Sequence, residues 1–303
     1  MKVPVLVMAF NRPDFVQKTM VPICQYQPDR LYLACDGPRK EKVDDVELVK
    51  ATQEVMLDAV DWKCEVKTLF RDGNLGCDPA VYEAISWFFE KEEYGVIIED
   101  DVIVSPEFFK FCEILLPRYA QSTKVIEISA QNHSGRNDIN DSYVYVQSMY
   151  NWGWATWRRA WVGLMPSVKS NIRLSISFLS KRLGCFRGLM FYHYFNSLES
   201  RISINSTWDT HWFKYILTVD GLVILPGVNL ASNIGMNSGV HYGKGDKNPY
   251  ENLQIRKIEW PLQYNDSLKI DKIQTKYDSR DFFHVRMIGL KKLIKRKFGL
   301  WKE

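Results

Sequence analysis

The sequence predicts an α/β fold in which helices cover both faces of a mostly parallel central sheet, with a second lobe fused to it. Two observations predict this class. Aliphatic runs alternate with amphipathic helix patterns through residues 1–130, as in doubly wound sheets. Polar residues follow three of these runs, at the strand ends where such sheets bind their ligands.

Five apolar runs in the first part of the chain predict strands. They are nearly continuous rather than alternating, which is typical of parallel strands that are covered on both faces. The predicted strands are 2–9, 30–35, 64–70, 94–99 and 124–129.

Helix patterns lie between these runs. Asp78, as an N-cap, and Pro79, at the first helical position, predict a helix in "CDPAVYEAISWFFEK". Ser105 and Pro106 predict the same kind of start for the helix in "SPEFFKFCEILLPRYA". The alternation of strands and helices therefore continues to about residue 130.

The pattern becomes less regular beyond that point, which predicts three parts with boundaries 1–130, 131–260 and 261–303. Four tryptophans fall within "YNWGWATWRRAW". Such a cluster is more often core, but Trp152, Trp154 and Trp157 interleave with small residues and could also form a flat wall for a sugar ring. Both interpretations stay open at this point.

Composition excludes several classes of protein. With 303 residues, of which 46% are hydrophobic and 25% charged, the chain can bury a large core. No apolar run reaches the roughly 20 residues of a membrane span. The six cysteines include no CxxC pair, which favours buried free thiols and a cytoplasmic location. No GxGxxG or GxxxxGK[ST] motif occurs, so dinucleotide and P-loop sites lose their main support.

The segment "GVIIEDDVIVSPEFF" places Glu99, Asp100 and Asp101 directly after a buried strand. Acids flanked by apolar runs on both sides cannot all reach water, and unpaired buried charge is costly. A bound cation would offset them. Carboxylate oxygens without soft ligands nearby suit Mg²⁺ or Mn²⁺.

Other polar residues at strand ends are candidates with a plain structural alternative. Asp36, in "ACDGPR", either forms an Asp-Gly turn or accepts a hydrogen bond from a base or ribose. Arg12 and Arg71 either lie on the surface or meet phosphates or a base. Asp209, in "STWDTHW", either caps a helix or serves as a general base. His241 lies in a Gly-rich loop, where a histidine is usually just polar surface.

The order of these motifs resembles that of a known family. "AFNR", "CDG", "RDGNLG" and "IIEDDVIVSPEFFKF" follow one another, and "ISAQNHSG", "WGW" and "WD" come later. This order is similar to that of GT-A glycosyltransferases, in particular the N-acetylglucosaminyltransferases that initiate complex N-glycans and related bacterial enzymes of capsule and lipopolysaccharide synthesis. The resemblance covers roughly residues 2–245.

The resemblance implies a Rossmann-like GT-A fold. Residues 1–130 would bind the nucleotide sugar, 131–260 would bind the acceptor and carry catalysis, and 261–303 would form a C-terminal segment. Asp101 would bind Mn²⁺ or Mg²⁺. Glu99 and Asp100 would contact the donor sugar and ribose.

The remaining roles follow from the same motifs. Asp36 would read the uracil, and Arg12 would contact the nucleotide. Asp209 would be the catalytic base, and His241 would lie in a loop that closes over donor or metal. Further donor contacts are expected from the motif residues Asn11, Arg71 and Asn74.

The implied reaction is an inverting transfer from a nucleoside-diphosphate sugar, a UDP-sugar such as UDP-GlcNAc, to a hydroxyl of a saccharide or lipid-linked saccharide acceptor. Two alternatives stay open. A sugar-1-phosphate nucleotidyltransferase would share the sheet and the acids but usually begins with a "GxGxR"-type loop, which this sequence lacks. A non-catalytic nucleotide-sugar-binding protein would keep the fold without turnover.

The end of the chain is strongly basic. The last twenty residues carry seven Lys or Arg and one acid, while the whole chain has a net charge of +4. The pattern over 284–303 predicts an amphipathic helix that either docks on the body or lies on an anionic membrane at its cytoplasmic face. The body carries no basic stripe, so nucleic acid is not expected as a partner.

Overall fold

A computed structural model of the chain describes residues 2–170, 173–201, 208–235, 250 and 252–278. The predicted His241 loop and the basic segment 284–303 lie outside these residues. The described helices are α1 (Pro13–Tyr26), α2 (Val43–Asp58), α3 (Cys77–Lys91), α4 (Pro106–Arg118), α5 (Arg158–Ser170), α6 (Ile176–Leu183), α7 (Cys185–Arg201) and α8 (Trp208–Thr218).

The described strands form one large sheet and one small one. They are β1 (Val5–Ala9), β2 (Arg30–Cys35), β3 (Glu65–Phe70), β4 (Tyr94–Glu99), β5 (Val102–Val104), β6 (Val125–Ser129), β7 (Tyr143–Val146), β8 (Trp154–Trp157), β9 (Leu222–Pro226) and β10 (Ala231–Asn233). The five strands predicted in the first part of the chain are confirmed, and their ends agree to within three residues.

The large sheet has the order β3-β2-β1-β4-β8-β6-β9-β7. Strands β3, β2, β1 and β4 are mutually parallel, and so are β6 and β9. Strand β8 runs antiparallel between β4 and β6, and β7 closes the far edge antiparallel to β9. The predicted class, a mostly parallel sheet flanked by helices, is confirmed.

Each face of the sheet is covered by its own set of helices. Side chains alternate along a strand, so Val5 and Val7 pack with α1, α2 and α4. Leu6 and Met8 point the other way and pack with α3, α5 and α8. A third apolar cluster joins α6 and α7 to the outer side of α8. This third cluster builds a lobe beside the sheet.

The two predicted helix starts have different outcomes. Ser105 caps α4 as predicted, since its Oγ accepts a hydrogen bond from the Glu107 backbone N at 3.2 Å. The prediction that Asp78 caps α3 is wrong. The helix begins two residues before the predicted first position Pro79, at Cys77, after Gly76 at φ +84°. Gly76 adopts this left-handed backbone without the cost that a side chain would add.

The cysteine prediction holds in part. All six thiols are free, and Cys35 and Cys112 are buried, but Cys77 and Cys185 are exposed. Within the part of the chain that the structure describes, no helix is both long and apolar enough to cross a membrane.

Candidate active site

Three parallel strands deliver the predicted residues to one edge of the sheet. Strand β1 ends before Arg12, β2 ends before Asp36, and β4 ends at Glu99. Because these strands are parallel and adjacent, their carboxyl ends share an edge, which is the usual ligand edge of such sheets.

Arg12 lies against two of the three acids. Its Nη1 contacts Asp101 Oδ2 at 3.1 Å, its Nε contacts Asp100 Oδ2 at 3.3 Å, and its Nη2 forms a further close contact with Asp100. Asp100 is 4% exposed and also accepts a hydrogen bond from the Phe10 backbone N at 3.3 Å. The guanidinium therefore offsets part of the negative charge at this edge.

Arg12 supplies only one positive charge to a site that holds three carboxyl groups. Desolvation, together with the charges of Asp101, Asp100 and Asp209, raises the pKa of Glu99 to about 8, although Arg12 opposes the shift. Burial also raises the pKa of Asp100 to about 6, although Arg12 opposes this effect. The influence of Asp209 on Glu99 places the first turn of α8 in the same electrostatic neighbourhood as the three acids.

Asp101 is held from the other side by the small sheet. Pairing of β5 with β10 brings Asn233 Nδ2 to 3.2 Å from Asp101 Oδ1, and the Ile234 backbone N to 2.9 Å from the Asp101 carbonyl oxygen. A Cβ on Gly235 would lie 2.4 Å from Asp101 Oδ2, so only glycine allows this approach. His241, six residues further along the sequence, lies outside the described residues.

Both carboxylate oxygens of Asp36 are hydrogen-bonded to nearby residues. Its two carboxylate oxygens accept hydrogen bonds from Gly37 N at 3.0 Å, Asn74 Nδ2 at 2.9 Å, Leu75 N at 3.0 Å and Gly76 N at 3.2 Å. Asp36 therefore fastens the loop before α3 to the end of β2. Its contact with uracil stays a prediction, and the same holds for Asn74.

Arg71 and Asn11 face neighbouring helices. Arg71 Nη2 contacts Glu83 Oε2 at 3.2 Å and the Ala80 carbonyl oxygen at 3.4 Å, both on α3. Asn11 Nδ2 donates to Asp45 Oδ1, on α2, at 2.8 Å. Both residues lie at the ligand edge, and their donor contacts stay predictions.

Asp209 lies in the first turn of α8, because the helix begins at Trp208. The N-cap alternative for Asp209 is therefore wrong. A different residue caps this helix: Asp78 Oδ1, on α3, accepts a hydrogen bond from the Trp208 backbone N at 2.8 Å. The cap ties the start of α8 to the start of α3. Asp209 Oδ1 accepts a hydrogen bond from the Thr210 backbone N at 2.6 Å.

Of the two interpretations of the tryptophan cluster, the core is confirmed for Trp154 and Trp157, and the aromatic wall is wrong for them. Trp154 and Trp157 are 1% and 2% exposed. They lie three residues apart on β8, so they point to opposite faces of the sheet. Trp154 stacks on Trp208, with ring centroids 5.7 Å apart. Both are core residues: Trp154 packs against α8, and Trp157 packs on the opposite face of the sheet.

A multidentate metal cage is absent from the part of the chain that the structure describes, where no three His, Cys, Asp or Glu side chains are grouped to hold an ion. The carboxylates nevertheless fit a cation that takes most of its ligands elsewhere. Asp101 offers hard oxygen donors, its side chain is 13% exposed, and the acids around it are only partly offset by Arg12. Mg²⁺ commonly binds through one or two carboxylates plus substrate phosphates.

Sequence comparison gives one match with a glycosyltransferase. An alpha-1,3-mannosyl-glycoprotein 2-beta-N-acetylglucosaminyltransferase of Arabidopsis thaliana is 23% identical over 176 residues. This chain is similar to an N-acetylglucosaminyltransferase. The match spans 54% of the chain and 39% of the plant enzyme. It confirms the resemblance that the motifs indicated, and no family model matches the sequence.

Solved structures of remote similarity include the glycosyltransferase GlyE of Streptococcus pneumoniae, which is 11% identical with a TM-score of 0.37. The match with GlyE spans 72% of this chain and 43% of the GlyE chain. The inositol-1-phosphate CTP transferase of T. maritima is 12% identical with a TM-score of 0.35, covering 77% and 89%. HddC of Yersinia pseudotuberculosis is 12% identical with a TM-score of 0.31, covering 52% and 77%. At these scores the fold class rests on the sheet topology itself.

Sequence reasoning missed three residues that shape this site. Asn233 and Gly235 hold Asp101, and Asp78 holds α8. The polar run "NLASNIG", which follows the aliphatic run "LVILP", was a signal for the first two. The contact of Asp78 with α8 had no sequence signal, because its partner Trp208 lies 130 residues away.

Proposed function

We propose that this chain is an inverting glycosyltransferase that moves a sugar from a nucleoside-diphosphate donor to a saccharide hydroxyl. The donor is a UDP-sugar, with UDP-GlcNAc as the first candidate, and the acceptor is a glycan or lipid-linked saccharide of surface polysaccharide synthesis. One observation carries the proposal: Arg12 lies against Asp100 and Asp101 at the ligand edge, and Asp209 lies in the first turn of α8, which Asp78 ties to the start of α3.

On the donor side, Asp101 would hold Mn²⁺ or Mg²⁺, which supplies positive charge to offset the leaving diphosphate. Arg12 would contact the nucleotide from its position beside Asp100 and Asp101. Glu99 and Asp100 would face the donor sugar and ribose. These roles follow the motif order and are supported by the convergence of β1, β2 and β4 on one edge.

On the acceptor side, Asp209 would act as the general base. Its carboxylate would take the proton of the acceptor hydroxyl, whose oxygen would attack C1 of the donor sugar. The bond from C1 to the diphosphate oxygen would break, and the nucleoside diphosphate would leave with both electrons. A single displacement of this kind inverts the anomeric centre.

A donor screen tests the proposal. The purified full chain is incubated with UDP-, GDP-, dTDP- and CMP-sugars, with Mn²⁺ or with EDTA, and thermal stabilisation and release of the nucleotide are measured. We expect one nucleotide class to stabilise the chain and a slow, metal-dependent release of its nucleoside diphosphate. Formation of a nucleotide sugar from a sugar 1-phosphate and a nucleoside triphosphate would favour a nucleotidyltransferase instead. Binding without any turnover would favour a non-catalytic protein.

We also propose that residues 284–303 bring the enzyme to an anionic membrane at its cytoplasmic face, where a lipid-linked acceptor would be available. The basic charge of that segment supports this, since each Lys or Arg near an anionic surface contributes about 1 kcal/mol. Deletion of 284–303 is expected to weaken sedimentation with phosphatidylserine-containing vesicles and to leave donor binding unchanged. Equal sedimentation of both forms would refute the membrane role.

A further inference from the structure

A cavity of about 300 Å³ lies between the α6–α8 lobe and the segment after β7. This volume is at the lower end of the range for small-molecule sites. Its aromatic walls come from three elements: Phe191 and Tyr194 on α7, Phe213 on α8, and Tyr150 in the segment after β7. The rings of Phe191 and Phe213 meet edge to face at 5.1 Å between centroids.

The apolar cavity also contains the cation of Arg187, on α7. The Nε atom of Arg187 is buried, and none of the residues that the structure describes accepts a hydrogen bond from it. Burial lowers the pKa of this arginine, while Asp278 and Tyr150 act in the opposite direction. A buried N–H that makes no hydrogen bond is costly. A ligand that enters the cavity and accepts a hydrogen bond from this N–H would therefore be stabilised there.

Asp278 is the nearby acid, but its oxygens are occupied. It accepts hydrogen bonds from Ser148 Oγ at 2.8 Å, from Gln274 Nε2 at 3.0 Å and, closely, from the Tyr150 hydroxyl. No ion pair joins it to Arg187, and both residues belong to the described part of the chain. Asp278 therefore acts on Arg187 through its charge but not through a direct ion pair, and the Arg187 Nε–H stays available to an anionic group.

Helix α8 connects this cavity to the proposed catalytic base. Phe213 follows Asp209 by four residues on α8, so both side chains lie on the same face of the helix, one turn apart. His133 lines the cavity and also a second, more polar cavity of about 130 Å³ beside it. The two cavities therefore share His133 as a common wall.

We propose that this cavity binds an anionic saccharide, a sugar that carries a carboxylate or phosphate group, as part of the acceptor. Arg187 receives the anionic group, and Tyr150, Phe191, Tyr194 and Phe213 pack against the apolar faces of the ring. The assignment of the ligand as acceptor rests on the proposed glycosyl transfer. The preference for an anionic sugar rests on the cavity alone.

Ligand-observed NMR and calorimetry on the full chain test this proposal, with D-glucuronate, glucose 6-phosphate and glucose as probes. We expect at least one anionic sugar to bind about tenfold or more tightly than glucose, because a charge-assisted hydrogen bond contributes roughly 1.5–3 kcal/mol. The two anionic probes separate a carboxylate site from a phosphate site. Equal affinity for all three sugars, or binding of none, would overturn the proposal.

Two variants locate the site. Arg187→Gln should abolish the preference for the anionic sugar, and Arg187→Lys should retain part of it, because the charge remains while Nε is lost. Lys181→Gln, which removes an exposed cation from neighbouring α6, is the matched control and should behave like the wild type. An unchanged preference in Arg187→Gln would show that the anion binds elsewhere.

Measurement of UDP affinity separates this proposal from the donor assignment. The Arg187 variants should bind UDP with unchanged affinity, which also shows that they are folded. Asp101→Asn should weaken UDP binding and leave the anionic sugar bound. If the wild type binds the anionic sugar but not UDP, the donor assignment is wrong and the cavity assignment stands.

Discussion

Asp209 is the residue on which the proposed mechanism depends most. It lies in the first turn of α8 and contributes to the electrostatic environment of Glu99. Asp209→Asn keeps the size of the side chain and the acceptor oxygen for the Thr210 N–H but removes the base. We expect the transfer rate to fall by about 10²-fold or more, with unchanged affinity for UDP. Transfer at the wild-type rate would show that another group takes the proton.

Gly235 is a residue whose role is purely steric. A Cβ at this position would lie 2.4 Å from Asp101 Oδ2 and 2.6 Å from Asp101 Cβ, so Gly235→Ala must displace the carboxylate. We expect weaker metal-dependent UDP binding, measured by calorimetry with Mn²⁺. The matched control is Gly73→Ala, because a Cβ there meets nothing within 4 Å. Equal UDP affinities of Gly235→Ala and Gly73→Ala would show that the position of Asp101 does not affect donor binding.

Helix α8 is the element that links the core to the site. Trp208 and Trp212 pack it against the sheet, and the Asp78 carboxylate caps its start. Asp78→Ala removes the cap, which costs about 1 kcal/mol of stability, and frees the turn that carries Asp209. We expect a lower kcat with little change in the KM for the donor.

Asp44→Ala provides the control for this helix cap. Asp44 is also an acid in the first turn of a helix, but it is exposed on α2. It should leave kcat unchanged. If the two variants lose stability equally and neither loses activity, the Asp78 contact does not position Asp209.

Glu127 makes the attachment of the same helix sensitive to pH. It is fully buried on β6 and accepts hydrogen bonds from Trp212 Nε1 at 2.5 Å and from the Tyr150 backbone N at 3.3 Å. Burial raises its pKa to about 8, well above the value near 4.3 of an unfolded chain. Between these two values the folded state binds more protons, so stability falls as pH rises.

The free energy of unfolding of the wild type should therefore decrease from pH 6 to pH 8, by up to roughly 1.4 kcal/mol per pH unit from this residue. Chemical denaturation at several pH values measures it. Glu127→Gln, which does not titrate, should show a flatter profile. An equal slope in both proteins would mean that other groups cause the pH dependence.

At the scale of the whole molecule, the sequence predicts the parallel strands β1 to β4 well and the short strands β5, β8 and β10 poorly. The parallel strands β1 to β4 are recognisable because each is a continuous apolar run between helix patterns. Strand β8 was not recognisable, because it has only the four residues Trp154–Trp157. A segment this short does not show whether its tryptophans belong to a buried strand or to a ligand-binding wall. The three-residue strands β5 and β10 give no periodic signal at all, although their pairing fixes Asp101.

The sequence predicts which residues gather at this edge of the sheet but not the contacts that they make there. Arg12 and Asp100 are 88 residues apart in the sequence, and only the adjacency of β1 and β4 brings them together. Asp36 was predicted because it follows a strand, yet its oxygens are used to hold the loop before α3. The position of a residue at a strand end thus predicts its neighbourhood, while its bonds depend on tertiary structure.

The most direct test of the account is the affinity of UDP for the wild type and for Asp101→Asn, measured by calorimetry with Mn²⁺ and with EDTA. The account predicts that the wild type binds UDP only with the metal and that Asp101→Asn binds it at least about tenfold more weakly, a difference of roughly 1.4 kcal/mol. Tight binding of UDP by the wild type in EDTA, unchanged in the variant, would contradict the claim that these acids hold the donor diphosphate through a cation.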